Sequence, residues 1–148
     1  MQRVAVIGSG VMGGGIAAHL ANAGVEVELL DIVPEGAEDR DMLARGAIAR
    51  LHKTKPAPLM HANFAERIRP GNLNDHLERV SEADWIVEAV LEDLNIKQKV
   101  FRNLEKVRKD GSIVSSNTST IPRAQLVAGM SKRFERDFLI TQIGRAHV

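Results

Sequence analysis

Four apolar residues in a row, Val4-Ala5-Val6-Ile7, stop at Gly8. A short continuous run ended by glycine predicts a central parallel strand covered on both faces. The small-residue segment Val11 to Ala23 predicts a helix closed by Gly24, and Glu26 to Leu30 predicts a second strand. Pro34 suits the first turn of a further helix, Glu35 to Lys53, with Met42, Leu43, Ala47 and Leu51 inward and Pro56 and Pro58 beyond its end. Residues 55–74 are the least regular, with Pro70-Gly71 marking a turn beside a weak third strand near Arg67 to Arg69. Asp75 to Ala83 predicts a short amphipathic helix, Asp84 to Val90 a strong strand, and Leu94 to Arg108 a helix. Gly111 to Ser116 predicts a strand, Ile121 to Ala128 a helix with Pro122 in its first turn, and Phe138 to Thr141 the start of a last strand. Strands alternating with helices predict an α/β fold, a doubly wound parallel sheet, as one domain over residues 1–141.

The link between the first strand and first helix is Gly8-Ser9-Gly10-Val11-Met12-Gly13, and Asp31 closes the second apolar run eighteen residues later. Glycine-rich turns occur by chance. The order strand, glycines, helix, strand, acid within one unit is what points to a dinucleotide site, a Rossmann-type fold. Gly8 allows the tight turn, Gly10 lets the backbone approach a diphosphate, and Gly13 permits close packing of helix on sheet. Val11 and Met12 open the helix whose free N–H groups face the phosphates. Asp31 would accept hydrogen bonds from the adenine ribose hydroxyls and repel a 2'-phosphate. No Arg or Lys lies in Ile32-Val33-Pro34, so NAD is expected rather than NADP. The plainer alternative is a tight strand-to-helix turn with Asp31 as a helix N-cap.

A chain of 148 residues with 44% hydrophobic content can build one core, and its formal charge of +1 offers no general field for nucleic acid or an anionic membrane. The absence of cysteine excludes disulfides and thiolate chemistry, and no metal site is expected. Met1 opens almost directly onto a strand, and no apolar run approaches the roughly eighteen residues of a membrane span. A cytoplasmic protein is therefore expected.

In such a sheet, residues just past the strands around the switch point face the cofactor crevice. Glu92 and Lys97 lie close after the fourth strand and could reach the nicotinamide ribose; alternatively, they are a first-turn acid and a solvated lysine of the next helix. The run Ser115-Ser116-Asn117-Thr118-Ser119-Thr120 follows the fifth strand. It could orient a carbonyl or hydroxyl substrate, or simply cap the following helix. His19, His52, His61 and His76 are read as solvated rather than catalytic, and Trp85 as packing.

Three segments, VAVIGSGVMGGGIAAHLANAG, ADWIVEAVLEDLNIK and GSIVSSNTSTIP, together resemble the cofactor domain of 3-hydroxyacyl-CoA dehydrogenases over residues 1–141. That resemblance implies NAD-dependent oxidation of (S)-3-hydroxyacyl-CoA to 3-oxoacyl-CoA in fatty-acid β-oxidation. It assigns Gly8, Gly10, Val11, Met12 and Gly13 to the diphosphate turn, Asp31 to the adenine ribose, and Glu92 and Lys97 to the nicotinamide side. Ser119 would hydrogen-bond the substrate's 3-oxygen, with Asn117 in the same pocket. LHKTKPAPL and IRPGNL are similar to the long bacterial form that carries an enoyl-CoA hydratase domain. The family also implies an acyl-CoA substrate and a C-terminal helical domain that closes over it and forms a homodimer.

The family's general base is a His in a His-Phe-Phe-Asn-Pro run, and Gln142 stands in its place. Neutral glutamine cannot accept the proton, which costs a factor of about 10²–10⁴. The tail QIGRAHV matches an in-frame translation of a sequencing-library adapter, so 142–148 are expected to be non-native and the sheet's C-terminal end incomplete. His147 would be a poor substitute base on such a tail. The fragment itself is then expected to be inactive. Two other readings are a non-catalytic NAD-binding module and a dehydrogenase of short β-hydroxy acids.

Overall fold

The computed structural model describes residues 1–141. Strands β1 (Arg3–Ile7), β2 (Glu26–Asp31), β3 (Ile68–Asn72), β4 (Trp85–Glu88), β5 (Ile113–Ser116) and β6 (Phe138–Ile140) form one sheet. Its order is β3-β2-β1-β4-β5-β6, and every neighbouring pair is parallel. This is the doubly wound arrangement expected from the alternation of elements, with the reversal of strand order between β1 and β4. Helices α1 (Val11–Asn22) and α2 (Met42–Lys53) cover one face, where Val4, Val6, Val27 and Leu29 meet Ile16, Ala17, Ala47 and Leu51. Helices α3 (Leu94–Val107), α4 (Arg123–Leu126) and α5 (Lys132–Asp137) cover the other, where Ala5, Ile7, Leu30 and Ile86 meet Phe101, Leu104, Leu126 and Phe134. Alternate residues of β1 thus serve two cores. A continuous apolar strand is what that position requires.

Several elements differ from the sequence expectation. The helix expected from Glu35 begins only at Met42. Gly36 has φ +73°, and the Asp39 side chain accepts the Asp41 N–H at 3.0 Å, a local bond that competes with helix formation. Met42 faces out, and Ala44 takes the inward position. Pro70-Gly71 is not a turn but the middle of β3, which runs past the expected Arg69 to Asn72. β3 is an edge strand, so the missing proline N–H breaks no ladder there. A Cβ on Gly71 would stand 2.7 Å from Arg79 Nη1 and 2.8 Å from side-chain atoms of Leu30 and His76, so these side chains pack directly on bare backbone at this edge. Residues 77–82 form a 3₁₀ turn instead of the helix expected from Asp75, and a second 3₁₀ turn at Ala62–Arg67 had no clear signal. Helix α5 was also unexpected, although Ser131, whose hydroxyl accepts the Phe134 N–H at 3.1 Å, is a legible cap. His76 is partly buried rather than solvated, and its Nδ1 accepts the Asn72 N–H at 2.9 Å.

Candidate cofactor site

The turn out of β1 is shaped by two contacts that exclude side chains. Gly8 has φ +103°, and a Cβ there would lie 2.5 Å from the Ala89 carbonyl oxygen. A Cβ on Gly13 would lie 1.8 Å from the Gly8 carbonyl oxygen, so the first turn of α1 lies directly on the end of β1. Gly10 is different: nothing stands within 4 Å of its Cβ position. The protein's own packing does not require glycine there, whereas a ligand resting on the backbone would. Gly10 is also the N-cap of α1, with no side-chain cap and no acidic residue in the first turn. Unpaired N–H groups and the positive end of the helix therefore open onto this spot. Val11 is 87% exposed and Met12 43% exposed, placing both at the open side of the turn, while Gly13 is buried.

A cleft of about 580 Å³ starts at Gly8, Ser9 and Gly10 and continues past Asp31 and Ile32. Ala89, Val90 and Leu91, just past the end of β4, form its wall, and Leu43, Leu73 and Val100 supply apolar lining. The cleft lies at the carboxyl ends of β1, β2 and β4. Asp31 Oδ2 accepts from the Ser9 N–H at 2.7 Å and the Ser9 hydroxyl at 2.5 Å, and its Oδ1 accepts from the Ile32 N–H at 2.7 Å. A carboxylate has about four acceptor sites, so capacity remains for a ligand hydroxyl. The N-cap alternative for Asp31 fails, since α2 begins only at Met42. One cation was missed by the sequence reading: Arg50 Nη2, from α2, donates to the Ser9 carbonyl at 2.9 Å. Its approach depends on how α2 packs over α1.

Past β4, Lys97 is not a solvated lysine. It is 1% exposed, and its Nζ lies 2.6 Å from the carboxylate of Glu88, which is 0% exposed. The same Nζ donates to the Val90 carbonyl at 3.3 Å and lies 3.4 Å from Glu92 Oε1. Glu92 is not a first-turn acid either. Asp93 caps α3 by accepting the Ile96 N–H at 3.0 Å. Glu92 instead reaches across to the loop after β5, accepting from the Thr118 hydroxyl at 2.8 Å, the Ser119 N–H at 2.9 Å and the Thr120 hydroxyl at 3.1 Å. Ser119 Oγ also donates to it at 3.3 Å. Desolvation raises the Glu92 pKa, but these hydrogen bonds and the Lys97 charge outweigh it and hold the group at about 2.

The stabilisation that Glu92 gives the loop is therefore fully present above its ordinary value of 4.5 and is lost as pH falls toward about 2. Chemical denaturation across this window is expected to show stability declining with acidification, with part of that slope absent in Glu92→Gln; an unchanged slope would remove the clamp from its role.

Helix α4 has Pro122 at its N-cap and no side-chain cap there, so capping α4 does not account for the Ser119 and Thr120 hydroxyls. Asn117 follows β5, its N–H donating to the Glu88 carbonyl at 2.8 Å. Its side-chain Oδ1 is buried without a hydrogen-bond partner, an acceptor that a bound polar group would satisfy. The structure thus groups Gly8, Gly10 and Asp31 around one cleft, with Gly13 buried behind them against Gly8, and joins Glu92, Lys97, Thr118 and Ser119 at the ends of β4 and β5. Gln142 and the rest of 142–148, including His147, lie outside the described residues. Ser116 belongs to the polar run read from the sequence, whereas Glu88 had no role there, although an acid inside an apolar strand run is a visible sign.

Among the described residues, no helix is long and apolar enough to cross a membrane. Residues 3–141 match the family model described as 3-hydroxyacyl-CoA dehydrogenase, NAD binding domain. A Bacillus subtilis protein named "Probable 3-hydroxyacyl-CoA dehydrogenase" is 48% identical over 95% of this chain and 20% of its own length. A Deinococcus radiodurans protein of the same name is 44% identical over 94% of this chain and 40% of its own. The crystal structure of 3-hydroxybutyryl-CoA dehydrogenase from Escherichia coli superposes with a TM-score of 0.71 at 29% identity, covering 94% of this chain and 29% of that one. The chain spans only 20% to 40% of the two curated relatives it matches here. With six parallel strands in this order, a bare glycine turn and a match over nearly its whole length, the chain belongs to the 3-hydroxyacyl-CoA dehydrogenase family and corresponds to its NAD-binding domain.

Proposed function

We propose that this chain is the cofactor-binding part of an enzyme that oxidises (S)-3-hydroxyacyl-CoA to 3-oxoacyl-CoA with NAD. The observation that carries this reading is the vacant Cβ position of Gly10, beside an uncapped helix N-terminus and opening onto the cleft that Asp31 lines. Backbone N–H groups of the Gly8 to Gly13 turn, with Val11 and Met12, would bind the diphosphate, and Asp31 would accept from the adenine ribose. Bound NAD supplies the hydride acceptor. Glu92 and Lys97 stand at the nicotinamide side. Glu92 holds the Ser119 loop, so that Ser119 can hydrogen-bond the substrate's 3-oxygen and Asn117 can offer its unsatisfied carbonyl in the same pocket.

The proton of the 3-hydroxyl needs a base, and none of the described histidines stands at the carboxyl end of β4, β5 or β6. We read residue 142 of the natural protein as that His, and 142–148 as adapter-derived. On this reading a C-terminal helical domain, an acyl-CoA site closed by it, a homodimer and a cytoplasmic location belong to the whole protein, while the 148-residue chain binds NAD and turns over little.

NAD is preferred over NADP because the Asp31 carboxylate would repel a 2'-phosphate. Calorimetry with Asp31→Arg is expected to show NAD binding weakened about 10–100-fold, the worth of one charged hydrogen bond, with relatively improved NADP binding. Arg50, already at this corner, would add to the attraction for the extra phosphate. An unchanged preference would exclude Asp31 from its assigned role.

A further inference from the structure

Glu88 has no part in the reading above, yet it is a fully buried charge with three hydrogen-bond partners beside the cleft. It ends β4, is fully buried, and pairs in register with Ile7 on one side and Ser116 on the other. Its Oε2 accepts from Lys97 Nζ at 2.6 Å and from the Val90 N–H at 2.8 Å, and its Oε1 accepts from the Ser116 hydroxyl. Lys97 in turn donates to the Val90 carbonyl and lies 3.4 Å from Glu92. The two charges thus hold both polar groups of the Val90 backbone, and Val90 lines the cleft. Through Ser116 and Glu92 the same pair joins the segment after β4 to the segment after β5.

We infer that Glu88 is a positioning residue: with Lys97 and Ser116 it fixes the cleft wall at Val90 and the Glu92-held Ser119 loop in one geometry at the nicotinamide end. The inference rests on the cofactor reading proposed above. Its physical basis is that a buried ion pair is a poor source of stability. Apolar replacements of similar volume are often as stable or more so, whereas a satisfied polar network can specify one arrangement. All three ammonium donors of Lys97 have an acceptor within 3.4 Å. Its place is therefore set by Glu88, Val90 and Glu92 before any ligand arrives.

The test compares two ligands that share an adenine half. ADP-ribose and NADH are titrated into the 148-residue chain and into Glu88→Gln/Lys97→Met, which removes both charges together and so leaves neither buried unpaired. The double variant is expected to bind ADP-ribose within about twofold of the parent chain, while NADH binding weakens about tenfold or more, the loss of roughly one well-placed hydrogen bond. A purely structural role would move both ligands together, and that result, or no change for either, overturns the inference. Ser116→Ala, which removes a single contact to Glu88 and leaves Lys97 in place, is titrated beside the double variant; the same split between ligands is expected, and its absence overturns the inference. A parent chain that binds ADP-ribose and NADH equally also overturns it. A parent chain that binds neither overturns the cofactor reading itself, which is a distinguishable failure.

Discussion

Gly13→Ala is expected to destabilise the domain by about 3 kcal/mol or more, the upper range for overpacking a tight interior. In an exposed helix the same change stabilises by up to about 1 kcal/mol. The sign reverses because the new Cβ would stand 1.8 Å from the Gly8 carbonyl oxygen and 2.8 Å from its carbon, both backbone atoms. That backbone has little room to move. The Gly8 N–H donates to the Leu30 carbonyl at 2.8 Å, and Ile7 is paired with Leu30 and Glu88 on its two sides. Gly15→Ala is the internal control, since Gly15 is exposed in the same helix with nothing within 4 Å of its Cβ position. Urea denaturation of the two variants should place them on opposite sides of the parent chain. If Gly13→Ala is as stable as the parent, the packing of α1 against the turn is wrong.

Lys97→Met is expected to cost about 3–5 kcal/mol, the range for leaving one partner of a buried ion pair uncompensated. The methionine keeps most of the lysine stem, so the packing of the buried face of α3 changes little and the loss reports the charge. Glu88 would then keep the Val90 N–H and the Ser116 hydroxyl but no counter-ion. Urea denaturation at neutral pH checks this; a deficit below about 1 kcal/mol, as for an exposed pair, would contradict the burial of the pair.

The first half of the site was legible because its parts are contiguous in sequence. A strand, three glycines, a helix and a terminal acid need only local geometry to meet, and the structure has all of them in place. Lys97 was harder. Its spacing to Val100, Phe101 and Leu104 puts it on the buried stripe of α3, and Glu88 interrupts an apolar strand run. Those two signs together mark a buried pair, but neither alone shows that strand and helix bring the charges to 2.6 Å. Arg50 was invisible for a similar reason, since its contact with Ser9 depends on how α2 crosses α1. The late start of α2 and the run of β3 through Pro70-Gly71 show tertiary context overriding local preference. Side-chain bonds from Asp39 compete with one helix turn, and an edge position tolerates proline in a strand.

The central claim is that the diphosphate of NAD rests on bare main chain at Gly10. Its most direct test is calorimetric titration of NAD into the parent chain and into Gly10→Ala, with thermal melting of both. Because a methyl group at Gly10 meets no protein atom within 4 Å, the melting temperature should fall by only a few degrees, the cost of alanine at a helix N-cap, while NAD binding weakens about tenfold or more. Equal affinity for NAD in the two proteins, or no saturable binding by the parent chain, would contradict the claim.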